Sequence, residues 1–173
     1  MAWFRRGARD TATEGATTEP SAGSSPGQGF GLADDVPLSP VVEGVPEDQQ
    51  ARIAGALQEL DAAGVDVDDL GSLGSGLDAA FVAWEAAPEA QREPHDTVVE
   101  RFAIGIGEHL HRHTDLRWQL VTDAFGTDLA VADGFKGNFV VVPMNLVAVR
   151  WLRREQGWVP GVVGHLVRLR TRR

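Results

Sequence analysis

The chain has 173 residues, a formal net charge of −9 and no cysteine. Its length predicts a single domain whose core is large enough to fold without disulfides or metals. The lack of cysteine excludes disulfides, thiolate metal sites and cysteine nucleophiles, and no apolar run reaches the roughly 20 residues that span a bilayer. Because the N-terminus also lacks the apolar stretch of a secretory signal, we expect a cytoplasmic protein.

Charge is distributed unevenly along the chain. Residues 144–173 carry seven arginines and one glutamate, a local balance of +6, which leaves −15 to the remainder. This layout argues against nucleic-acid binding by the whole surface. The basic C-terminal region is either a face that meets an acidic partner or a solvated helix face followed by a frayed tail.

Residues 1–45 are predicted to form a disordered low-complexity tail. Small, polar and acidic residues dominate it, with no apolar period to offset the entropy of ordering. The cluster Trp3, Phe4, Arg5 and Arg6 either makes weak peripheral contact with a membrane or is an untethered terminus. Residues 46–173 are predicted to form the single folded domain.

Three amphipathic helices are predicted in the first half of this domain. The first begins at Pro46 and ends at Gly64, a suitable left-handed cap, the second stops before Pro88, and the third begins between Pro94 and Thr97. Their apolar residues recur at helical spacing: Ile53, Leu57 and Leu60; Leu73, Leu77, Phe81 and Trp84; Val99, Phe102, Ala103, Ile106 and Leu110. Gly107 falls on the apolar face of the third helix, which predicts close approach of another backbone.

From Leu116 the apolar period changes to two, which predicts a three-stranded antiparallel meander. Gly126 supplies the positive φ of a three- or four-residue turn after the first strand, and a second turn spans residues 134–137. The third strand, residues 138–142, is apolar on both faces. An exposed apolar edge strand favours aggregation, so we expect a helix, another strand or a second copy to cover it.

Two helices are predicted to follow the sheet and to pack on it. The residues assigned to the core are Val147, Ala148, Val149, Trp151 and Leu152 in a helix from Met144 to Glu155, and Val162, Leu166 and Leu169 in a helix after Gly157. The predicted fold class is α+β: a helical N-terminal half, a three-stranded antiparallel β-meander and two C-terminal helices.

Two groups of basic side chains offer binding chemistry, each with a structural alternative. His109 and His113, four residues apart, would chelate a metal from one helix face, although the helix dipole also favours histidines near a C-terminus. The stripe Arg150, Arg153 and Arg154 would bind a phosphate, a carboxylate or an acidic partner, or it is a solvated face opposite a packed one.

The acidic residues of the sheet turns offer a third arrangement. Asp123, Asp128 and Asp133 recur every five residues, and two close carboxylates would form an acid and base pair. Turn chemistry accounts for all three more simply. The aspartates at 66, 68 and 69 lack the later ligands of a calcium loop, and the sequence contains no phosphate-binding loop or nucleophile elbow. No cofactor is indicated.

Two segments carry a family resemblance. Trp118 to Val131 reads WQLVTDAFGTDLAV, and Val140 to Arg150 reads VVVPMNLVAVR. Together they resemble a bacterial family known as domain of unknown function 3806, over roughly the last 80 residues. The motif residues are Trp118, Asp123, Gly126, Asp128, Pro143 and Asn145. The resemblance implies a shared fold and no particular activity.

These observations favour a cytoplasmic, non-enzymatic protein-interaction module that self-associates or binds a partner through the third strand or the basic helix. The alternative is a small-ligand, metal-binding or hydrolytic domain that uses the helix histidines, the turn aspartates or the arginine stripe. A third reading is peripheral membrane attachment through the two basic ends of the chain.

Overall fold

The computed structural model describes residues 41–123, 126–133 and 139–171. These residues form five α-helices and a four-stranded sheet. In chain order the elements are β1 (Val41–Glu43), α1 (Glu47–Ala62), α2 (Leu70–Ala86), a 3₁₀ turn (Glu89–Gln91), α3 (His95–His113), β2 (Arg117–Asp123), β3 (Gly126–Ala132), β4 (Val140–Val141), α4 (Pro143–Leu152) and α5 (Val159–Thr171). The predicted α+β class is confirmed.

Local sequence determines where the first two helices begin and end. Glu47 and Asp48 lie in the first turn of α1, where the helix dipole favours negative charge. Gly64, just beyond α1, has a φ of +74°, the left-handed conformation predicted for it. Asp69 caps α2 by accepting a hydrogen bond of 2.7 Å from the backbone N–H of Gly71.

Helix α3 lies at the centre of the core. Ten of its 19 residues are buried, and it contacts α1, α2, α4, α5 and the sheet. The predicted apolar face is confirmed, since Val99, Phe102, Ala103, Ile106 and Leu110 are all at most 4% exposed. The burial of Val98 and Ile104 as well shows that α3 is covered on more than one side, as expected for a helix between a sheet and other helices.

The sheet has the order β1-β2-β3-β4, and each strand is antiparallel to its neighbour. The prediction of three strands was one short, because β1 lies within the segment expected to be a disordered tail. Its three residues pair with residues 120–122 of β2. A strand of three residues carries no recognisable alternation, so only the long-range pairing identifies it.

The turn between β2 and β3 is tighter than predicted. Asp123 pairs with Gly126, so two residues separate the paired positions and not three or four. Gly126 has a φ of +136°, which confirms the positive φ expected there. The second predicted turn, residues 134–137, lies outside the described residues.

The prediction that a backbone approaches Gly107 was wrong. A Cβ atom at this position would lie 2.1 Å from Cη2 and 2.6 Å from Cζ2 of Trp118, and 3.0 Å from Cγ of Pro143. The group that requires a glycine is therefore the indole ring of β2. The loss of helix propensity at Gly107 is offset by the packing of a large aromatic side chain against α3.

The third predicted strand and the helix after it are both shorter than expected. β4 consists of Val140 and Val141, and α4 ends at Leu152 in place of Glu155. Val147 and Trp151 are buried as predicted, but Val149 and Leu152 are 44% and 75% exposed. On so short a helix the core contacts only one face, and these two side chains lie on the other.

The last helix shows a similar difference. Val163 is buried and Leu166 is partly buried against the core, but Leu169, which was assigned to the core, is 49% exposed. Arg170 is 7% exposed, whereas both interpretations of the basic C-terminal region, a face that meets an acidic partner and a solvated helix face with a frayed tail, require exposed arginines. None of the described helices is long and apolar enough to cross a membrane.

Candidate functional site

An open apolar groove lies between β4, α4 and α5. Its volume is about 420 Å³. Eight residues line it: Val140, Val141, Val142, Asn145, Leu146, Val149, Arg150 and Leu166. The third predicted strand was expected to need a cover, and helices α4 and α5 cover it only in part.

Exposed apolar side chains extend this groove along both helices. On α4, Leu152 lies three residues beyond Val149, and on α5, Leu169 lies three residues beyond Leu166, so each pair shares a helix face. Leu152 is 75% exposed and Leu169 is 49% exposed. An apolar area with a polar rim is typical of a protein-binding surface.

Of the three arginines of the predicted stripe, Arg150 lines this groove, and the three side chains make different contacts. Arg150 donates to the carbonyl of Leu146 at 3.0 Å and stacks over Trp158 at 4.6 Å from the ring centroid. Arg150 and Arg153 lie 3.7 and 3.8 Å from the carboxylate of Glu155.

The backbone of Arg154 is not helical. It has a φ of +58° and pairs with Glu85 of α2 at 3.0 Å. Because α4 ends at Leu152, only Arg150 of the three is part of the helix. Arg153 and Arg154, which follow Leu152 in the chain, are 70% and 74% exposed, contact different glutamates and form a basic rim beside Leu152. Their binding role stays a prediction.

The two candidate metal ligands of α3 lie side by side. The rings of His109 and His113 have centroids 4.3 Å apart. Nδ1 of His109 lies 2.8 Å from the carbonyl oxygen of Val67, and Nε2 of His113 lies 3.1 Å from a carboxylate oxygen of Asp68. Hydrogen bonds of this kind orient histidine ligands in metal sites, and they equally orient histidines that bind no metal.

Burial lowers the pKa of His109, against the opposing effect of its bond to Val67, so the ring is neutral near pH 7. The carbonyl of Val67 then accepts from Nδ1–H, which leaves Nε2 as the free lone pair. Within residues 41–123, 126–133 and 139–171, no three His, Asp or Glu side chains are grouped to hold a metal ion. The metal site therefore remains a prediction with two candidate ligands.

A chain of polar contacts runs from these histidines to the sheet. Arg112 pairs with Asp68 at 2.9 Å and with Glu108 at 2.8 Å, and the indole N–H of Trp118 donates to Glu108 at 2.9 Å. Burial raises the pKa of Asp68, but hydrogen bonds from Arg112 and His113 outweigh that effect and lower it. These contacts fix the orientation of Trp118, the tryptophan of the family-like motif.

The turn aspartates do not form a facing pair. The register places Asp123 opposite Gly126 and Asp128 opposite Val121, so the two carboxylates are diagonal neighbours. Asp133 accepts a hydrogen bond of 3.2 Å from the backbone N–H of Phe139, which closes the segment between β3 and β4. The motif residues Pro143 and Asn145 lie in the first turn of α4, Pro143 at the position where its missing N–H costs nothing.

The sequence patterns did not indicate the charge cluster around the buried Arg170. Arg170 donates to both carboxylate oxygens of Asp115, at 2.9 and 2.6 Å, and lies 3.5 Å from Asp133. Its guanidinium also lies 4.9 Å from the ring centroid of Phe139. Arg170 follows Val163 by seven residues, so its position on the buried face of α5 was the available signal.

Residues 82–162 match a family described as a domain of unknown function (DUF3806). The resemblance seen in the C-terminal half of the sequence is thereby confirmed, although the match begins earlier than residue 93 and ends before most of α5. The matched segment contains the end of α2, all of α3, strands β2 to β4, and α4. No curated protein and no solved structure matches the chain.

Proposed function

We propose that this protein is a cytoplasmic, non-enzymatic interaction module that binds a segment of a partner protein in the groove between β4, α4 and α5. The observation that carries the proposal is the exposed apolar area of Val149, Leu152 and Leu169 beside that groove. None of the eight lining residues is a nucleophile or a carboxylic acid, which favours binding over catalysis.

The charge around the groove favours an acidic partner. Arg150 lines the groove, and Arg153 and Arg154, which directly follow the exposed Leu152 in the chain, are 70% and 74% exposed although each contacts one glutamate. Two copies that met groove to groove would bring like charges together, which opposes symmetric self-association. The best fit is therefore a partner segment that carries both apolar side chains and carboxylates.

Photocrosslinking in cells that make the protein tests this proposal. We expect a photoreactive phenylalanine analogue at Leu152 to form a discrete adduct with a partner whose crosslinked segment is acidic. The matched control places the analogue at Val82, which is 55% exposed on α2 and remote in sequence from the groove. Arg153→Glu should abolish the Leu152 adduct, because it reverses the charge of the rim without disturbing the core.

Two results would contradict the proposal. The same adducts from both positions, or none from Leu152, would show that the groove has no dedicated occupant. The remaining alternative is self-association, which light scattering of the purified chain would detect as a concentration-dependent dimer. If the Leu152 adduct also had twice the mass of the chain, the groove would bind a second copy and not an acidic partner.

A further inference from the structure

A second concavity, which shares no lining residue with the groove, opens between α3, the sheet and the first turn of α4. Its volume is about 270 Å³. Apolar residues form most of its wall: Ala103, Ile104, Trp118, Leu129, Pro143 and Met144. Since one water occupies about 30 Å³, this space suits a molecule of at least about nine non-hydrogen atoms.

The wall of this cavity is held in place from behind. The ring of Trp118 packs into the space left by the missing side chain of Gly107, and its indole N–H is bonded to Glu108. Pro143 lies against the same glycine. A wall fixed by packing and by a hydrogen bond loses little freedom when a ligand binds.

The polar lining residues are Arg52, Glu100, Thr127 and Asp128, and the first two form an ion pair between α1 and α3. The Nε of Arg52 donates to Glu100, and Nη1 of Arg52 donates to Gln49 at 3.1 Å. The hydrogen bond to Glu100 raises the pKa of Arg52, against the opposing effect of burial, so the guanidinium remains charged near pH 7. Their side chains are 46% and 31% exposed, so a ligand can reach either group from solvent.

The charges discriminate between classes of ligand. A guanidinium has five N–H donors, and these two contacts use two of them, which leaves donors for a carboxylate. A ligand with only a carboxylate would place it near the carboxylates of Glu100 and Asp128, and a ligand with only an ammonium group would leave the remaining N–H donors of Arg52 without a carboxylate. A zwitterion satisfies both side chains at once, and an exposed ion pair of this kind rearranges at little cost.

We propose that this cavity binds a small zwitterion with an apolar body, the chemical class of the apolar α-amino acids. The carboxylate of the ligand pairs with Arg52 and its ammonium group with Glu100. Its side chain lies against Trp118, Leu129 and Met144. This site shares no lining residue with the groove, so a test of one proposal does not decide the other.

Calorimetry and thermal-shift measurements on the purified full chain test the assignment with four probes. L-Phenylalanine and L-leucine should bind and raise the melting temperature, because a ligand of the folded state stabilises it. 3-Phenylpropionate and 2-phenylethylamine, which keep the apolar body but only one charge each, should bind about tenfold more weakly or worse. Equal binding of all the phenyl compounds, or binding of none, would overturn the proposal.

Two variants separate the site from general stability. Arg52→Gln should weaken phenylalanine binding by about tenfold. The control Arg101→Gln removes another arginine that joins α1 and α3, through Glu59, but does not line this cavity, and it should leave the affinity unchanged. Met144→Trp, which fills the cavity, should abolish binding in a folded protein. Equal loss in the Arg52 and Arg101 variants, or full binding by Met144→Trp, would refute the site.

Discussion

Arg170 is the side chain that joins helix α5 to the sheet. Its side chain is 5% exposed, while that of Asp115, its bidentate partner, is 53% exposed. The hydrogen bond to Asp115 raises the pKa of Arg170 despite burial, so the guanidinium remains charged at any ordinary pH. Asp115 precedes β2 and Asp133 follows β3, so this arginine ties α5 to one end of the sheet.

Removal of that contact should be costly. Arg170→Met keeps the apolar stem but leaves Asp133 and Asp115 without the arginine, and we expect it to reduce the free energy of unfolding by about 2–3 kcal/mol. Urea denaturation would measure the loss. Arg168→Met is the matched control on the exposed face of α5 and should change stability by less than about 0.5 kcal/mol. Equal effects of the two changes would show that the cluster contributes nothing specific.

Among the elements, α3 and β2 depend on each other at one point. Gly107→Ala would gain about 1 kcal/mol of helix propensity. The new Cβ would nevertheless lie 2.1 Å from the ring of Trp118, which is itself held by Glu108. Since overpacking in a core costs about 1–3 kcal/mol, we expect a net loss of stability and a loosened tryptophan.

The glycine of α1 provides the control for this prediction. Gly55 is also inside a helix, but a Cβ there meets nothing within 4 Å. Gly55→Ala should therefore raise the free energy of unfolding by up to about 1 kcal/mol. Chemical denaturation gives both energies, and tryptophan fluorescence reports the packing of the rings. If Gly107→Ala stabilised the protein as Gly55→Ala should, the indole contact would not constrain α3.

The elements that sequence could predict are those with a long local period. Three turns of apolar residues identify α1, α2 and α3, and alternation around Trp118 identifies β2. The sequence could not reveal β1, because Val41–Glu43 shows no period and is defined by pairing with residues about 80 positions away. The exposure of Val149 and Leu152 was missed for a related reason: apolar spacing marks a helix face but does not show how much of it another element covers.

The candidate sites also separate into features that a local sequence pattern predicts and features that depend on contacts between distant residues. The i, i+4 spacing predicted that His109 and His113 would be neighbours, and their rings are adjacent. Their partners Val67 and Asp68 lie more than 40 positions earlier in the chain, so no local pattern indicates them. The cavity beside Arg52 and Glu100 is likewise formed by five separate elements: α1, α3, β2, β3 and α4. Such sites are consequences of packing and become visible only in three dimensions.

Two of the described residues, His109 and Asp68, make the folding stability depend on pH. The pKa of His109 is below its ordinary value because burial favours the neutral ring; the hydrogen bond to Val67 and the carboxylates of Asp68 and Asp69 oppose this effect, and His113 adds to it. The unfolded chain therefore binds a proton more readily than the folded chain. The contribution of His109 to the free energy of unfolding is fully present above the ordinary histidine pKa of about 6.5, and it decreases as the pH falls below that value.

The pKa of Asp68 is also lowered, through Arg112 and His113 in spite of burial, and this adds a second loss below about pH 4. We therefore expect the free energy of unfolding to decrease in two separate stages as the pH falls from 7 to 3.

His109→Gln keeps a donor for the carbonyl of Val67 but does not titrate, so it should flatten the first stage and leave the second. His165→Gln, at an exposed position on α5, should preserve both stages. Urea unfolding at closely spaced pH values would measure the two slopes. A first stage that is unchanged in His109→Gln would mean that another group is responsible for it.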